Sequence, residues 1–394
     1  MTREVVFVGA ARTAIGSFGG SLKDVPPADL GALVIKTALE RAGVAPKEVG
    51  HVVVGHVIPS VPQDAYISRV AALNAGVPQE APAFNVNRLC GSGLQAIVSA
   101  AQAIQLGDCD VAVGAGAESM SRGAYLSTSN RWGARMGDVK MLDYMLGALH
   151  DPRLHIHMGI TAENVAARYE ITREQQDADA VRAQQRAAKA VAAGIFKDQI
   201  VPVEIKTRKG VVLFDTDEGV KADTSVDALG KMKPAFKKED GTVTAGNAST
   251  LNDGAGAVVM ASSEKAKELG LKPLARLVSY GHAGVEPEYM GIGPVPASRN
   301  ALAKAGLTVA DMDLIEANEA FAAQACAVAK ELGLDNEKVN PNGSGISLGH
   351  PVGGTGAILV TKAIYELQRT GGRYALITMC IGGGQGIAMV IERL

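Results

Sequence analysis

The chain has 394 residues, of which 47% are hydrophobic and 46 are glycine, a composition typical of a compact α/β enzyme and unlike that of disordered or fibrous chains. The 39 Lys and Arg residues nearly balance the 41 Asp and Glu residues, which argues against a protein that binds nucleic acid or an anionic membrane surface. The widely spaced cysteines form no C-x-x-C pair, so they indicate a reducing compartment and neither a disulfide framework nor a zinc site: Cys90, Cys109, Cys326 and Cys380.

The N-terminal residues lead directly into a strand-like segment and show no signal-peptide pattern. No apolar run approaches the roughly 20 residues that a membrane-spanning helix needs. We therefore expect a cytoplasmic protein with no nucleic-acid and no membrane partner.

The first part of the chain alternates between strand and helix patterns. Predicted strands cover residues 4–9, 51–54, 83–86 and 111–116, and predicted helices cover 28–42, 64–75 and 94–106. From about residue 120 to 249 the chain is more polar and less regular, and it contains the only tryptophan, Trp132. Two helices are predicted there, opening at Thr161 and at Thr172, the second with a capping-box spacing to Gln175. This segment is interpreted as an inserted lid or loop domain, and the alternation resumes after Gly254.

The second half of the chain repeats the first. The helix end at Ala38 resembles the one at Ala301, and Gly91-Ser-Gly93 resembles Gly354-Thr-Gly356, an offset of 263 residues in both cases. The equal offset predicts two similar α/β halves with parallel strands and crossover helices. A site between two such halves would take residues from both.

Cys90 lies between a predicted strand and a predicted buried helix, followed at once by Gly91 and Gly93. We expect Cys90 in the first turn of that helix, where unpaired backbone N–H groups and the helix dipole favour the thiolate. The alternative is a buried cysteine that acts as a small hydrophobic residue.

Three further segments of the sequence carry candidate partners of Cys90. His350 lies in a glycine-rich loop before a helix and is the candidate base for the thiol. Cys380 ends a buried strand and precedes a run of glycines that begins at Gly382, a setting suited to proton transfer beside an oxyanion hole. Asn318 stands at a strand-to-helix junction. Taken singly, each also has a structural explanation, as a capping histidine, a core cysteine or a turn asparagine.

Other patterns are less consistent with the rest of the sequence. Gly345-Ile-Ser347-Leu-Gly349 matches a serine nucleophile elbow, but the only later histidine is His350, three residues on. The histidines at 150, 155 and 157 lack a metal-site spacing, so no metal is expected. The glycine runs do not follow a dinucleotide-binding pattern. A basic set in the inserted segment is either a solvated face or an attractor of phosphates: Lys206, Arg208, Lys209, Lys231, Lys233, Lys237 and Lys238.

Four motifs together resemble those of the thiolase family, in order: Cys90 in Asn-Arg-Leu-Cys-Gly-Ser-Gly, Asn318 in Asn-Glu-Ala-Phe, His350 in Gly-His-Pro, and Cys380 in Cys-Ile-Gly-Gly-Gly. The resemblance covers essentially the whole chain and looks closest to bacterial biosynthetic-type β-ketothiolases, the acetyl-CoA acetyltransferases. It implies an α/β thiolase fold, with two similar βαβαβαββ halves in a layered α-β-α-β-α arrangement and an inserted loop domain. The expected division is 1–120 plus 250–271 for the N-terminal half, 121–249 for the loop domain, and 272–394 for the C-terminal half.

The resemblance also implies roles for individual residues. Cys90 would carry the acyl group with His350 activating it, and Cys380 would exchange the α-proton of the second acetyl-CoA. One oxyanion hole would use His350 and a water held by Asn318, and the other the backbone N–H groups of Cys90 and Gly382. The positions that match coenzyme A contacts are Leu149, His157, Met158, Lys221, Phe236, Ala245, Ser249, Met290 and Phe321.

This sequence departs from the family pattern at three places. Lys221 stands where relatives commonly have arginine, and lysine stacks less well on an adenine. Thr250 replaces a usual glycine, and Gly354 replaces a usual alanine. Either of the last two could reshape the acyl pocket.

The implied activity is reversible, ping-pong Claisen condensation of acetyl-CoA with acetyl-CoA or a short acyl-CoA, and thiolysis of short 3-ketoacyl-CoA. Coenzyme A and acetyl-CoA would be substrates, with no permanently bound cofactor. The alternatives are a degradative 3-ketoacyl-CoA thiolase of broad chain length and a non-catalytic acyl-CoA-binding relative. The resemblance further implies a homotetramer built from dimers, with 121–142 as a contact loop.

Overall fold

The computed structural model describes residues 3–394. Its strands are β1 Val5–Arg12, β2 Gly16–Ser17, β3 His51–Gly55, β4 Ala83–Val86, β5 Val111–Ser119, β6 Tyr125–Leu126, β7 Leu142–Asp143, β8 Val203–Thr207, β9 Gly210–Phe214, β10 Asn252–Ser262, β11 Ala275–Gly284, β12 Leu314–Ala317, β13 Tyr374–Ile381 and β14 Gln385–Arg393. Its α-helices are α1 Pro27–Ala42, α2 Ile67–Asn74, α3 Ser92–Leu106, α4 Tyr144–Ala148, α5 Met158–Arg168, α6 Arg173–Ala192, α7 Val226–Gly230, α8 Ser263–Glu268, α9 Pro294–Ala305, α10 Ala322–Leu332 and α11 Thr355–Thr370.

The order of the strands confirms the predicted repeat. The pairing runs β4-β3-β5-β10-β1 through the first half and β11-β14-β13-β12 through the second, so that the halves mirror each other about the β1–β11 contact. A parallel strand pair of the first half has its counterpart 263 residues later: His51 of β3 pairs with Ala112 of β5, and Leu314 of β12 pairs with Ala375 of β13. The β1–β11 contact is short and antiparallel, with Val6 opposite Arg276 and Phe7 opposite Ala275.

Helices and strands form five layers. α1 and α2 cover the outer face of the first half-sheet, α3 and α11 lie between the two half-sheets, and α9 covers the outer face of the second. Each contact between layers has its own apolar core, of which the central one joins side chains of α3 and α11 to both half-sheets. Both central helices are buried along most of their length, which explains why the sequence of α3 has no charge and no one-sided apolar stripe.

The two central helices meet at glycines near their N-termini. A Cβ placed on Gly93 would lie 2.8 Å from the backbone N of Ala357 and 2.9 Å from the backbone O of Gly353. A Cβ on Gly356 would overlap the backbone N of Leu94. The repeated Gly-x-Gly patterns therefore allow the helices that follow Cys90 and His350 to approach backbone to backbone.

The segment between β5 and β10 contains α4 to α7 and two hairpins, β6–β7 and β8–β9. The helix predicted to open at Thr161 begins three residues earlier, at Met158, because His157 acts as its N-cap and accepts a hydrogen bond from the Gly159 N–H. The helix capped by Thr172 has the predicted capping box with Gln175. The predicted helix at 64–75 is instead a 3-10 turn, Pro62–Tyr66, followed by α2.

Among residues 3–394, no helix is both long and apolar enough to cross a membrane. The predicted domain boundaries at 120/121, 249/250 and 271/272 stay predictions.

Candidate active site

Cys90 lies in a constrained turn between β4 and α3. The preceding residue, Leu89, has a left-handed backbone with φ +46°, and its N–H donates to the Asn87 side chain at 3.0 Å. Ser92 closes the turn, because its hydroxyl donates to the Leu89 carbonyl and accepts from the Arg88 N–H. The turn therefore presents the sulfur at the end of the central helix layer.

The environment of Cys90 corrects two expectations. α3 begins at Ser92, so Cys90 lies just before the helix and not in its first turn. Burial raises the pKa of the Cys90 thiol, while hydrogen bonds from the backbone N–H groups of Gly382 and of Cys90 itself lower it. The burial effect is the larger one, so the resting side chain is a thiol that needs a base. The two N–H groups are nevertheless directed at the sulfur, and they belong to Cys90 itself and to Gly382 after β13, not to the first turn of α3.

His350 is fixed at its backbone N–H and at Nδ1 of its ring. Its backbone N–H donates to Asn252 Oδ1 at 2.9 Å, and its Nδ1 lies 2.6 Å from Thr355 Oγ1. The Thr355 hydroxyl proton is directed at the Pro351 carbonyl, 2.9 Å away, so Thr355 accepts from Nδ1–H. Nε2 therefore keeps its lone pair. Burial lowers the pKa of His350 to about 4, which leaves the imidazole neutral and able to accept a proton at pH 7.

Asn318 comes directly after β12 and faces His350. Its Nδ2 lies 3.4 Å from His350 Nε2, and its backbone N–H donates to Thr378 of β13. The neighbouring Glu319 accepts a hydrogen bond from Asn340 Nδ2 at 2.8 Å. Burial and the charge of Asp179 raise the pKa of Glu319 to about 7. The segment that carries Asn318 is thus tied to the start of the loop that carries His350.

Cys380 occupies the end of β13, opposite Gly386 of β14. It is fully buried and packs in one apolar cluster with Met158, Met290 and Phe321. Burial and the nearby Cys90 both raise the pKa of the Cys380 thiol, which places the two sulfurs within electrostatic reach of each other. A thiolate formed here would be a strong base, because its conjugate acid has a high pKa.

The structure brings most of the predicted coenzyme A contacts together beside the two thiols. His157 stacks on Phe236 with ring centroids 4.7 Å apart, and Phe236 meets Phe321 edge to face at 6.3 Å. A Cβ on Gly382 would lie 3.5 Å from Met158 Sδ, and the Met158 N–H donates to the Leu149 carbonyl. These contacts form a continuous apolar and aromatic wall from the protein surface to Cys380.

The remaining predicted contacts lie at the edge of this wall. Ala245 and Lys221 are exposed, and Ser249 is half-buried with its N–H bonded to the Ala320 carbonyl. The Lys221 N–H donates to Gln184 of α6. The structure does not place the Lys221 side chain among the apolar residues that surround Cys380.

Of the departures from the family pattern, Thr250 contacts a residue that holds His350, and Gly354 lies against the backbone of β10. The Thr250 hydroxyl donates to Asn252 Oδ1 at 2.9 Å, and that oxygen also accepts from the His350 N–H. A Cβ on Gly354 would lie 2.8 Å from the Gly254 carbonyl oxygen, so glycine relieves a close contact there.

Several residues of the site were not identified from the sequence. Thr355 and Asn252 fix His350, and a buried pair, His56 and Glu118, lies next to the segments that surround Cys90. Their only sequence signal is a position next to the start or end of a strand or helix. Among residues 3–394, no group of three or more His, Cys, Asp or Glu side chains is placed to hold a metal ion.

Comparison with known proteins agrees with this arrangement. Residues 5–264 match the N-terminal domain of thiolases, and residues 271–393 match the C-terminal domain. The chain belongs to the thiolase family. This thiolase is 67% identical to the beta-ketothiolase BktB of Cupriavidus necator over 100% of both chains, and 53% identical to an acetyl-CoA acetyltransferase of Chromobacterium violaceum over 99% of this chain and 100% of that one.

Solved structures confirm the thiolase fold. The acetyl-CoA acetyltransferase of Bacillus anthracis superimposes with a TM-score of 0.97 at 50% identity, covering 100% of this chain and 99% of that one. Human mitochondrial 3-ketoacyl-CoA thiolase in complex with CoA superimposes with a TM-score of 0.96 at 45% identity, covering 100% of this thiolase and 98% of the human chain.

Proposed function

We propose that this thiolase is an acyl-CoA:acetyl-CoA C-acyltransferase, a β-ketothiolase that acts through a Cys90 acyl-enzyme. The observation that carries the proposal is the proximity of two thiols from different halves: a Cβ on Gly91, next to Cys90, would lie 2.5 Å from Ile381 Cδ1, next to Cys380. Val352, two residues after the neutral His350, belongs to the apolar cluster that packs against Cys90. One thiol can hold an acyl group while the other moves a proton. That division of labour matches a two-step, ping-pong reaction.

In the first half-reaction, His350 Nε2 takes the proton of the Cys90 thiol. The thiolate attacks the thioester carbonyl of an acyl-CoA, and the tetrahedral oxyanion is held by the backbone N–H groups of Cys90 and Gly382. Collapse breaks the bond to the coenzyme A sulfur, which leaves with the proton from His350. The acyl group remains on Cys90 as a thioester.

In the second half-reaction, the Cys380 thiol gives its proton to His350 Nε2, and the resulting thiolate removes the α-proton of acetyl-CoA. The enolate oxygen is stabilised by the protonated form of His350 and by a water held on Asn318 Nδ2. The enolate carbon attacks the acyl carbonyl, and Cys90 leaves as thiolate and takes the proton of His350, which returns all three groups to their resting states. Thiolysis of a 3-ketoacyl-CoA is the same sequence in reverse.

Coenzyme A would lie along the wall formed by His157, Phe236 and Phe321, with Leu149, Met158 and Met290 next to the acyl group. Ala245 and Ser249 would contact the pantetheine, and the exposed Lys221 would supply a positive charge near the nucleotide. The basic loop residues would add to the attraction of the phosphates. Coenzyme A and acetyl-CoA are substrates in this proposal, with no resident cofactor.

The likeness to a human 3-ketoacyl-CoA thiolase supports a second candidate, a degradative enzyme of broad chain length. The two candidates differ in the shape of the acyl pocket around Leu149, Met158, Met290 and Thr250. We propose short acyl chains, because Met158 and Met290 of this set pack in one apolar cluster with Cys380 and reduce the space beside it.

The decisive test is coenzyme-A-dependent cleavage of acetoacetyl-CoA, 3-ketovaleryl-CoA and a long-chain 3-ketoacyl-CoA, with mass spectrometry of the quenched enzyme. We expect cleavage of the first two, an acyl group on Cys90, and no acyl-enzyme in Cys90→Ser. Equal rates for the long chain would favour the degradative candidate. Coenzyme A binding without cleavage of any of the three would refute the enzyme in favour of a non-catalytic relative.

We further propose a cytoplasmic homotetramer. The four unpaired cysteines support a reducing compartment. The segment 121–142 supports the tetramer, because Trp132 and Met136 leave 91% and 96% of their surfaces exposed in a single chain. Light scattering should give a tetramer for the wild type and a smaller species for Trp132→Ala/Met136→Ala. A tetrameric double variant would exclude this loop as the contact.

A further inference from the structure

A buried ion pair lies beneath the nucleophile. His56 follows β3, and its Nδ1 is 3.0 Å from Glu118 Oε1 at the end of β5. Both side chains are almost fully buried. Asp64, on the 3-10 turn, faces the other ring nitrogen, with its Oδ2 3.9 Å from His56 Nε2. Burial alone would lower the pKa of His56, but the charge and hydrogen bond of Glu118 raise it to about 9.

Glu118 connects three backbone positions around Cys90. Its carboxylate accepts hydrogen bonds from the N–H groups of Val57 at 3.1 Å, Ile58 at 3.1 Å and Gly353 at 2.9 Å. Val57, Ile58 and the residue before Gly353 all belong to the apolar cluster that packs against Cys90. The carboxylate therefore holds the end of β3 and the loop after His350 in place around the sulfur.

This anchor carries an electrostatic cost. The negative charge of Glu118 opposes a second negative charge on Cys90 and raises the pKa of that thiol. The sulfur must nevertheless become a thiolate in every turnover of the proposed reaction. A positive charge bound directly to the carboxylate would reduce the opposition without removing the anchor.

We propose that His56 is a positioning residue of the nucleophile: its imidazolium pairs with Glu118 and cancels the charge that this carboxylate would otherwise direct at Cys90. The inference rests on the proposed role of Cys90. The test uses iodoacetamide, which alkylates a thiolate with loss of iodide. The measurement therefore needs no coenzyme A substrate. A failure of charge compensation is thereby distinguished from a failure of the proposed acyl transfer.

The experiment measures the rate of Cys90 alkylation in the full-length protein from pH 6 to 10, with the label located by mass spectrometry. In His56→Gln we expect about tenfold slower alkylation at pH 7.5, equivalent to a rise of about one unit in the pKa of Cys90. The difference from wild type should shrink above pH 9, where the wild-type His56 loses its own proton. A purely structural role would not produce that convergence. His51→Gln, at the opposite end of β3 and in no ion pair with a carboxylate of residues 3–394, should alkylate like the wild type.

Glu118→Gln gives an independent result even where His56→Gln folds poorly. In Glu118→Gln the main cause of the raised pKa of His56 is gone and burial leaves its imidazole neutral, so both charges are lost together. The rate should therefore stay within about twofold of wild type, and the His56→Gln/Glu118→Gln double variant should match it. Alkylation that is about tenfold faster in Glu118→Gln would show an uncompensated carboxylate and overturn the proposal. A His56→Gln rate equal to wild type at pH 7.5 would overturn it as well.

Discussion

The backbone contact between α3 and α11 gives a sharp test of how the two halves form one site. In Gly356→Ala, the new Cβ overlaps the backbone N of Leu94 and lies 2.8 Å from its Cβ. Backbone atoms in a buried helix cannot rotate away, so an ordinary contact requires the helix N-termini to separate by about 1 Å. Overpacking of this kind costs about 1–3 kcal/mol, and a misplacement of about 1 Å can slow catalysis by about a hundredfold.

The measurement combines urea unfolding with the rate of Cys90 acylation by acetyl-CoA. We expect Gly356→Ala to lose about 3 kcal/mol, the upper part of that range, since the overlap is with backbone. Acylation should fall by about a hundredfold, because His350 moves away from Cys90. The matched control is Gly147→Ala, an exposed helical glycine with nothing within 4 Å of its Cβ, which should keep full stability and activity. Wild-type acylation in Gly356→Ala would refute the proposed dependence on helix contact.

Three further predictions concern the site itself. Cys380→Ser should acylate at Cys90 but lose turnover by at least about a hundredfold in steady-state assays, since it removes the proposed acid–base group; normal turnover would exclude Cys380 from that role. Thr250→Val should lower the acylation rate by about fivefold, because it removes a hydrogen bond to Asn252 worth roughly 1 kcal/mol. Thr250→Ser keeps the hydroxyl and should acylate like the wild type. Equal acylation rates in Thr250→Val and the wild type would assign Thr250 to pocket shape alone. Because the pKa of His56 is raised to about 9, its protonated form stabilises the folded state fully below pH 6.5. Roughly 3 kcal/mol of that stability is lost as pH rises through about 9. Urea unfolding should therefore show a steeper loss of stability between pH 6.5 and 9 in wild type than in His56→Gln.

The parts predicted from the sequence are those with a local signal. Cys90, Asn318, His350 and Cys380 each stand in a short motif, and the repeat at a constant offset identified the two halves. The residues that set the charge and orientation of these four side chains stand in no recognisable sequence motif. His56 and Glu118 are 62 residues apart in the chain, and their pairing depends on the adjacency of β3 and β5.

The state of Cys90 was also beyond sequence reasoning. The pattern of strand, turn and helix predicted N–H groups from the helix start around the sulfur, but those present belong to Cys90, before the helix, and to Gly382 in the other half. The sequence could not show that burial outweighs them, because burial depends on packing against both halves. The tautomer of His350 likewise depends on Thr355, whose hydroxyl is oriented by the Pro351 carbonyl.

The place of β10 has a consequence for synthesis of the protein. β10 pairs with both β1 and β5, yet about 130 residues separate it from β5 along the chain. At roughly 5–20 residues per second, a ribosome needs on the order of ten seconds to deliver the strand that completes the first half-sheet. During that interval β1 and β5 expose open edges in a nascent chain, and these edges are available for mispairing and for chaperone binding. A circular permutant that begins at β10 would offer that strand first and shorten the exposed interval.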